Sequence, residues 1–107
     1  MSRGVNTVHL VGNIGKDPEL RATRQGTPKL EISLATEDRQ GHTQWHDLVF
    51  WKSSAEIAAR NLRKGARLHV TGTIRYSLFK DSKDVHHKRA YVHVQEFVFL
   101  DSGGARA

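Results

Sequence analysis

A single helical stretch interrupts a chain otherwise written in the two-residue period of β-strands, and its position narrows the fold more than any other feature. Apolar and polar residues alternate over about 6–15, 29–36, 44–51, 67–79 and 89–100, the period that sends successive side chains to opposite faces of a strand. Between the third and fourth runs, Ser53-Ser54-Ala55-Glu56 has the spacing of a capping box, with the Ser53 hydroxyl accepting the Glu56 amide. Ile57, Ala58 and Leu62 then give one apolar stripe, and Arg60, Arg63 and Lys64 fall near the C-terminal end, where cations suit the helix dipole. Gly65 is placed to supply the left-handed residue that ends the helix. Other small β-domains share the strand count. The lone helix between strands 3 and 4 favours an all-β fold with one helix, the OB-fold, a five-stranded Greek-key barrel.

The alternation also predicts which side chains face inward. Leu30, Ile32 and Leu34 share one face of the second strand, and His46, Leu48 and Phe50 share one face of the third. By the same parity Ile74 and Tyr76 join Leu68 and Val70 in the core, and Val98 and Leu100 join Val92 and Val94. The first strand is apolar on both faces: Val8, Leu10 and Ile14 on one, Val5, His9 and Val11 on the other, with Thr7 on that second face. Such a strand needs a core on one side and a partner on the other. At 107 residues there is room for one domain, expected over 1–100 with a short flexible tail at 101–107.

Seventeen Lys and Arg against eleven Asp and Glu leave a net charge of +6, which suits an anionic partner, nucleic acid or membrane, or serves solubility alone. No apolar run approaches membrane length and the start, Met-Ser-Arg-Gly, has no apolar signal region, so a cytoplasmic protein without membrane contact is expected. The absence of cysteine removes disulfides and thiolate metal sites. The histidines are scattered, with no zinc spacing, and Asp17 and Glu19 flank Pro18 in a turn, where local capping outweighs acid–base work. No metal, cofactor or catalytic residue is expected, and the chain does not read as an enzyme.

Aromatic residues interleaved with cations are the stronger signal. Single-stranded nucleic acid exposes base faces that stack on rings and phosphates that Lys and Arg neutralise. Trp45, Trp51 with Lys52, Arg75 with Tyr76, and Phe79 with Lys80 all lie on or beside the third and fourth strands. Trp45 and Trp51 share parity with Asp47, a face that reaches solvent, where an uncovered Trp is costly. Phe79 lies at a strand end among Lys80, Asp81 and Lys83. Arg60, Arg63 and Lys64 read equally well as the solvated end of a helix.

Several segments, in order and spacing, resemble the bacterial single-stranded-DNA-binding protein family over about residues 3–100. These are Arg3-Gly-Val-Asn, Val11-Gly-Asn-Ile-Gly-Lys-Asp-Pro-Glu-Leu-Arg21, Leu34-Ala-Thr36, Trp45-His-Asp-Leu-Val-Phe-Trp51-Lys52, Ala55-Glu56, Leu62-Arg-Lys-Gly65 and Val70-Thr-Gly-Thr-Ile-Arg75. The resemblance implies a cytoplasmic, nucleoid-associated protein that coats single-stranded DNA without strong sequence preference in replication, recombination and repair. It places stacking at Trp45, Trp51 and Phe79, and phosphate contacts at Arg3, Arg21, Lys52, Arg63, Lys64 and Arg75. It implies a homotetramer, a dimer of dimers, with the first strand (Val5, Thr7, His9, Val11) pairing monomers and His46 at a subunit interface. A dimer is the alternative.

Two departures stand out. The loop from Glu37 to Thr43 carries no aromatic where many relatives have a Trp, so one stacking platform is missing. The chain ends at Asp101-Ser-Gly-Gly-Ala-Arg-Ala107, without the Gly/Pro/Gln-rich linker and acidic tip of the family, so tail-mediated recruitment of repair enzymes is not expected. The chain is either naturally short or a truncation. Two rivals remain: a small OB-type primosomal replication-restart protein acting as a dimer, and an OB-fold used only for protein contacts.

Overall fold

The computed structural model describes residues 3–100. The tail expected at 101–107 lies outside the described residues. The elements are β1 (Val8–Ile14), β2 (Arg21–Ala22), β3 (Pro28–Glu37), β4 (Thr43–Trp51), α1 (Lys52–Asn61), β5 (Arg67–Lys80) and β6 (His86–Phe99). The helix lies where the pattern places it, after the third long strand. The short β2, which pairs with Lys29 and Pro28 of β3, makes six strands rather than five.

The strands pair in the order β1-β5-β6-β4-β3, and β1 returns to β3, so the sheet is a closed ring. The seams differ greatly in length. Nine consecutive residue pairs join β3 to β4, whereas only Asn13↔Ala35 and Ile14↔Leu34 join β1 to β3. The parallel seam of β4 with β6 is equally short, at Leu48↔Val92 and Val49↔His93. Inside the ring, Ile14, Leu30, Ile32, Leu34, Leu48, Phe50, Leu68 and Val70 form a buried core with Val92 and Val94. Ala55, Ala58 and Leu62 bring α1 against it. Phe50 is fully buried and meets the edge of Phe97 at 5.2 Å between centroids and 84° between planes, an arrangement the ring quadrupoles favour.

Three expectations at the helix are corrected. The capping box does not form: α1 begins at Lys52, its N-cap is Trp51, and no side chain caps it. Lys52 itself takes a left-handed φ of 58°, so the chain turns sharply from β4 into the helix one residue before Ser53. Gly65 is left-handed as expected (φ 89°), but it sits in the turn after the helix, and Leu62 at the C-cap is extended. The apolar stripe is Ala55, Ala58 and Leu62, while Ile57 is exposed.

The parity of the last strand also breaks. Thr71 pairs with Glu96 but Gly72 pairs with Val94, so Gln95 is an extra residue in a bulge. Val92 and Val94 face inward before it, and Phe97 packs on the core after it, leaving Val98 and Leu100 exposed. The first strand is shorter than expected, leaving Val5 and Thr7 ahead of it. There the Asn6 side chain donates to the Ile74 carbonyl at 2.8 Å and accepts the Ile74 amide at 2.9 Å, continuing the ladder in place of backbone.

Finally, β5 and β6 outrun the core. They stay paired from Ile74↔Val92 out to Lys80↔His86, so the segment expected to be a loop over Lys80–Lys88 turns only over 81–85, with Lys80 and 86–88 in strand. Ile74 and Tyr76 keep the inward parity but lie on this projecting arm, where no core underlies them, and Tyr76 is 58% exposed.

Candidate nucleic-acid interface

The outer face of the sheet is where the aromatic and cationic residues gather. From β4 it receives Trp45, Asp47, Val49 and Trp51, which alternate with the buried Leu48 and Phe50. Trp45 is 61% exposed, and Trp51 is half-buried with the Lys29 ammonium 5.1 Å above its ring, a cation–π contact. Trp51 lies six positions along the strand from Trp45, roughly 20 Å at the usual rise. They therefore stand too far apart to form one shared slot.

From β5 and β6 the same face receives Arg75, Ser77 and Phe79, paired across the arm with Tyr91, Arg89 and His87. Three grooves lie along these strands. One is lined by Trp45, His46, Asp47 and Tyr91 together with Val8, Leu10, Ile74, Ala90 and Val92. The second, about 120 Å³, lies between Trp51 and Tyr91 and shares Asp47 and Tyr91 with the first. The third, with Lys16, Asp17, Glu19 and Arg21, shares Glu31 with the second. The second and third grooves thus place Tyr91, Trp51 and Arg21 along the outer face, while the first, lined mostly by inward-facing residues, opens at the mouth of the ring beside Trp45.

The electrostatics of the outer face are set by partly satisfied ion pairs. Arg89 holds Asp47 through Nε at 3.0 Å and Nη2 at 2.9 Å. Lys29 lies 3.5 Å from Glu31, and Arg21 lies 3.2 Å from Glu19. These exposed pairs contribute little to stability and leave the cations close to solvent. Asp17 has a longer reach than a local turn cap: its Oδ1 accepts the Lys64 amide at 2.7 Å, tying the turn after α1 to the end of the third groove. Lys52, Arg63, Lys64, Arg75 and Arg3 are all exposed.

At the tip of the arm, Phe79 is 48% exposed and stacks on His87 at 5.1 Å and 19°. His87 Nε2 lies 2.8 Å from Asp81 Oδ2, while Asp81 Oδ1 accepts the amides of Lys83 and Val85. The His87 bond, followed by that from Val85, holds the Asp81 carboxyl below its ordinary pKa. Further in, burial, with the positive Arg75 as a second cause, holds the His93 imidazole below its ordinary pKa. Among the described residues no group of three or more His, Asp or Glu could hold a metal ion.

The residues expected to pair subunits lie elsewhere. His9 and Val11 are exposed on the outer side of β1, and His9 stacks on His69 at 6.1 Å while its Nδ1 lies 3.3 Å from Thr71 Oγ1. Val5 is 93% exposed. His46 is half-buried at the mouth of the ring, with Nε2 2.9 Å from Thr36 Oγ1. Three residues of the face escape the sequence reading: Tyr91, Arg89 and Lys29. The alternation places Tyr91 on an outward face, but only the pairing with Arg75 and the Arg89–Asp47 bridge bring it beside the tryptophans.

The model of the single-strand binding protein family matches residues 5–100. A single-stranded DNA-binding protein of Xanthomonas campestris pv. campestris is 37% identical over 112 residues, spanning 97% of this chain and 65% of the relative. One from Xylella fastidiosa (strain Temecula1) is 44% identical over 87 residues, spanning 74% of this chain and 53% of the relative. The chain therefore spans between half and two thirds of the length of these curated relatives.

Proposed function

The chain belongs to the single-strand binding protein family, and from that membership and the outer face just described we propose that it binds single-stranded DNA without strong sequence preference. The closed ring with its one helix is read as an OB-fold barrel, with residues 1–100 as its domain. The observation that carries the function is the outer face itself, where Trp45 and Trp51 of β4 and Tyr91 of the neighbouring β6 lie among Lys29, Arg89 and Arg21. Base faces stack on the rings, each worth about 1–3 kcal/mol by alanine substitution. The chain's phosphates meet the cations and release counterions. Arg75 and Phe79 add to this surface along the arm, Lys52 follows Trp51, and Lys64, whose amide binds Asp17, stands at the third groove with Arg63 preceding it in the chain. Arg3 lies ahead of β1 as a further phosphate contact.

A protein of this kind protects exposed strands during replication, recombination and repair, in the cytoplasm at the nucleoid. No helix of the described residues is long and apolar enough to cross a membrane. The free outer side of β1, with His9 and Val11 exposed, supports pairing of two copies through Val5, Thr7, His9 and Val11. With His46 at a second contact, two such pairs make a tetramer.

Titration with oligo-dT tests the reading. Binding quenches the tryptophan fluorescence, and affinity falls with salt at a log–log slope of roughly −0.7 per phosphate neutralised. No quenching and no binding at low salt would sink it. Light scattering on the same sample separates tetramer from dimer.

A further inference from the structure

We propose that the groove between Trp51 and Tyr91 is a base-binding slot in which Tyr91 is a stacking platform and Arg89 meets the adjoining phosphate. This rests on the single-stranded-DNA reading and adds to it a residue pair that neither the aromatic pattern nor the resemblance assigns. The floor of the slot is apolar, for Val49 lies on the outer face yet is only 6% exposed, covered by its neighbours. Its aromatic walls are Trp51 and Tyr91. Its rim carries Lys29, Arg89, Ser77, Glu31 and Asp47. An apolar floor between π faces suits a nucleobase, and the two cations of the rim, each paired to a carboxylate but close to solvent, can turn to its phosphate.

The placement of Tyr91 is held from two sides. It pairs with Arg75 on β5, and the next outward residue toward the tip, Arg89, is anchored across the groove to Asp47 of β4. That bridge spans the region beyond the two-rung β4–β6 seam, where the strands no longer share backbone bonds. It keeps the walls at a fixed spacing. Of the five N–H donors of a guanidinium, Asp47 engages those on Nε and Nη2, and the rest remain for phosphate. The slot also supplies an aromatic platform absent from the 37–43 loop.

The test measures binding of a fluorescently labelled oligo-dT by anisotropy across a salt series. Tyr91→Ala and Tyr91→Leu weaken binding roughly 5- to 100-fold, with the salt slope unchanged, while Tyr91→Phe restores it to within about twofold because stacking needs the ring and not the hydroxyl. Arg89→Ala reduces the slope by about 0.7. Tyr91→Leu keeps the apolar bulk, so it guards against loss of fold in the alanine variant, and thermal unfolding of each variant is read alongside. The proposal is overturned if Tyr91→Leu binds as tightly as the unsubstituted chain while Trp51→Ala binds weakly. It is equally overturned if Tyr91→Phe is as weak as Tyr91→Leu. Failure of the unsubstituted chain to bind at all removes the parent reading and the slot together.

Discussion

Gly12 and Gly15 lie three residues apart in the first strand region and are constrained by different neighbours. A Cβ on Gly12 would fall 2.1 Å from the Ala35 carbonyl oxygen, at the two-rung seam that closes the ring. Backbone cannot move aside cheaply, so Gly12→Ala destabilises by about 1–3 kcal/mol or more. A Cβ on Gly15 would instead meet the Trp45 ring at 2.6 Å, and that ring is exposed and able to swing. Gly15→Ala therefore leaves the urea midpoint nearly unchanged but alters tryptophan emission and weakens oligo-dT binding, while Gly12→Ala lowers the midpoint. Equal midpoints for the two variants would contradict this division. The role of both glycines as punctuation is visible in the sequence. Which one guards the seam and which seats the ring is not, because Ala35 and Trp45 come from strands brought together only by folding.

The elements show where periodicity stops being informative. Over β3 and the buried half of β4 the alternation reports a real core, and Leu30, Ile32, Leu34, Leu48 and Phe50 are all buried. On the arm the same alternation continues through Ile74 and Tyr76 with no core beneath, so parity is right and burial wrong. The bulge at Gln95 carries no glycine or proline on its own strand, the glycine at the shift being Gly72 of β5, and it inverts every face assignment that follows. The candidate site divides similarly: Trp45 and Trp51 are legible from their parity with Asp47, whereas Tyr91 and Arg89 depend on a contact across 42 residues. At the start of α1, local signals mislead. Ser53 makes no cap and Lys52 occupies a left-handed conformation. Ser53→Ala should shift stability by less than about 0.5 kcal/mol, against roughly 0.5–2 for a working cap. Lys52→Gly, relieved of the left-handed penalty, should gain on the order of 1 kcal/mol in urea unfolding while losing a cation from the proposed DNA-binding face. A large loss in Ser53→Ala, or destabilisation by Lys52→Gly, contradicts the observed helix start.

At the scale of the whole molecule, stability depends on pH through groups the fold treats differently from water. His93 has a folded pKa below the ordinary 6.5, because burial and then Arg75 disfavour its charge. As pH falls, the unfolded chain takes up this proton first, so the contribution is complete above 6.5 and is lost as pH drops from there toward the folded value. Asp81, also lowered, works only further down, its contribution present above 3.8 and lost below. The melting temperature should thus decline between pH 7.5 and 5.5, and the decline should be smaller in His93→Gln. A flat profile, or an identical decline in the variant, contradicts this assignment. The ring itself has a consequence for the order in which the protein can be made. β1 leaves the ribosome well before its partners: those on β5 run from Arg67 to Gly72, and the other described rungs reach Ala35 and Leu34. At about 5–20 residues per second, the interval between synthesis of Val8 and of its partner Gly72 is roughly 3–13 s. Through that time a strand apolar on both faces emerges without the neighbour that covers its edge, and this is the period in which a nascent chain of this fold is most open to chaperones and to mispairing with its own copies.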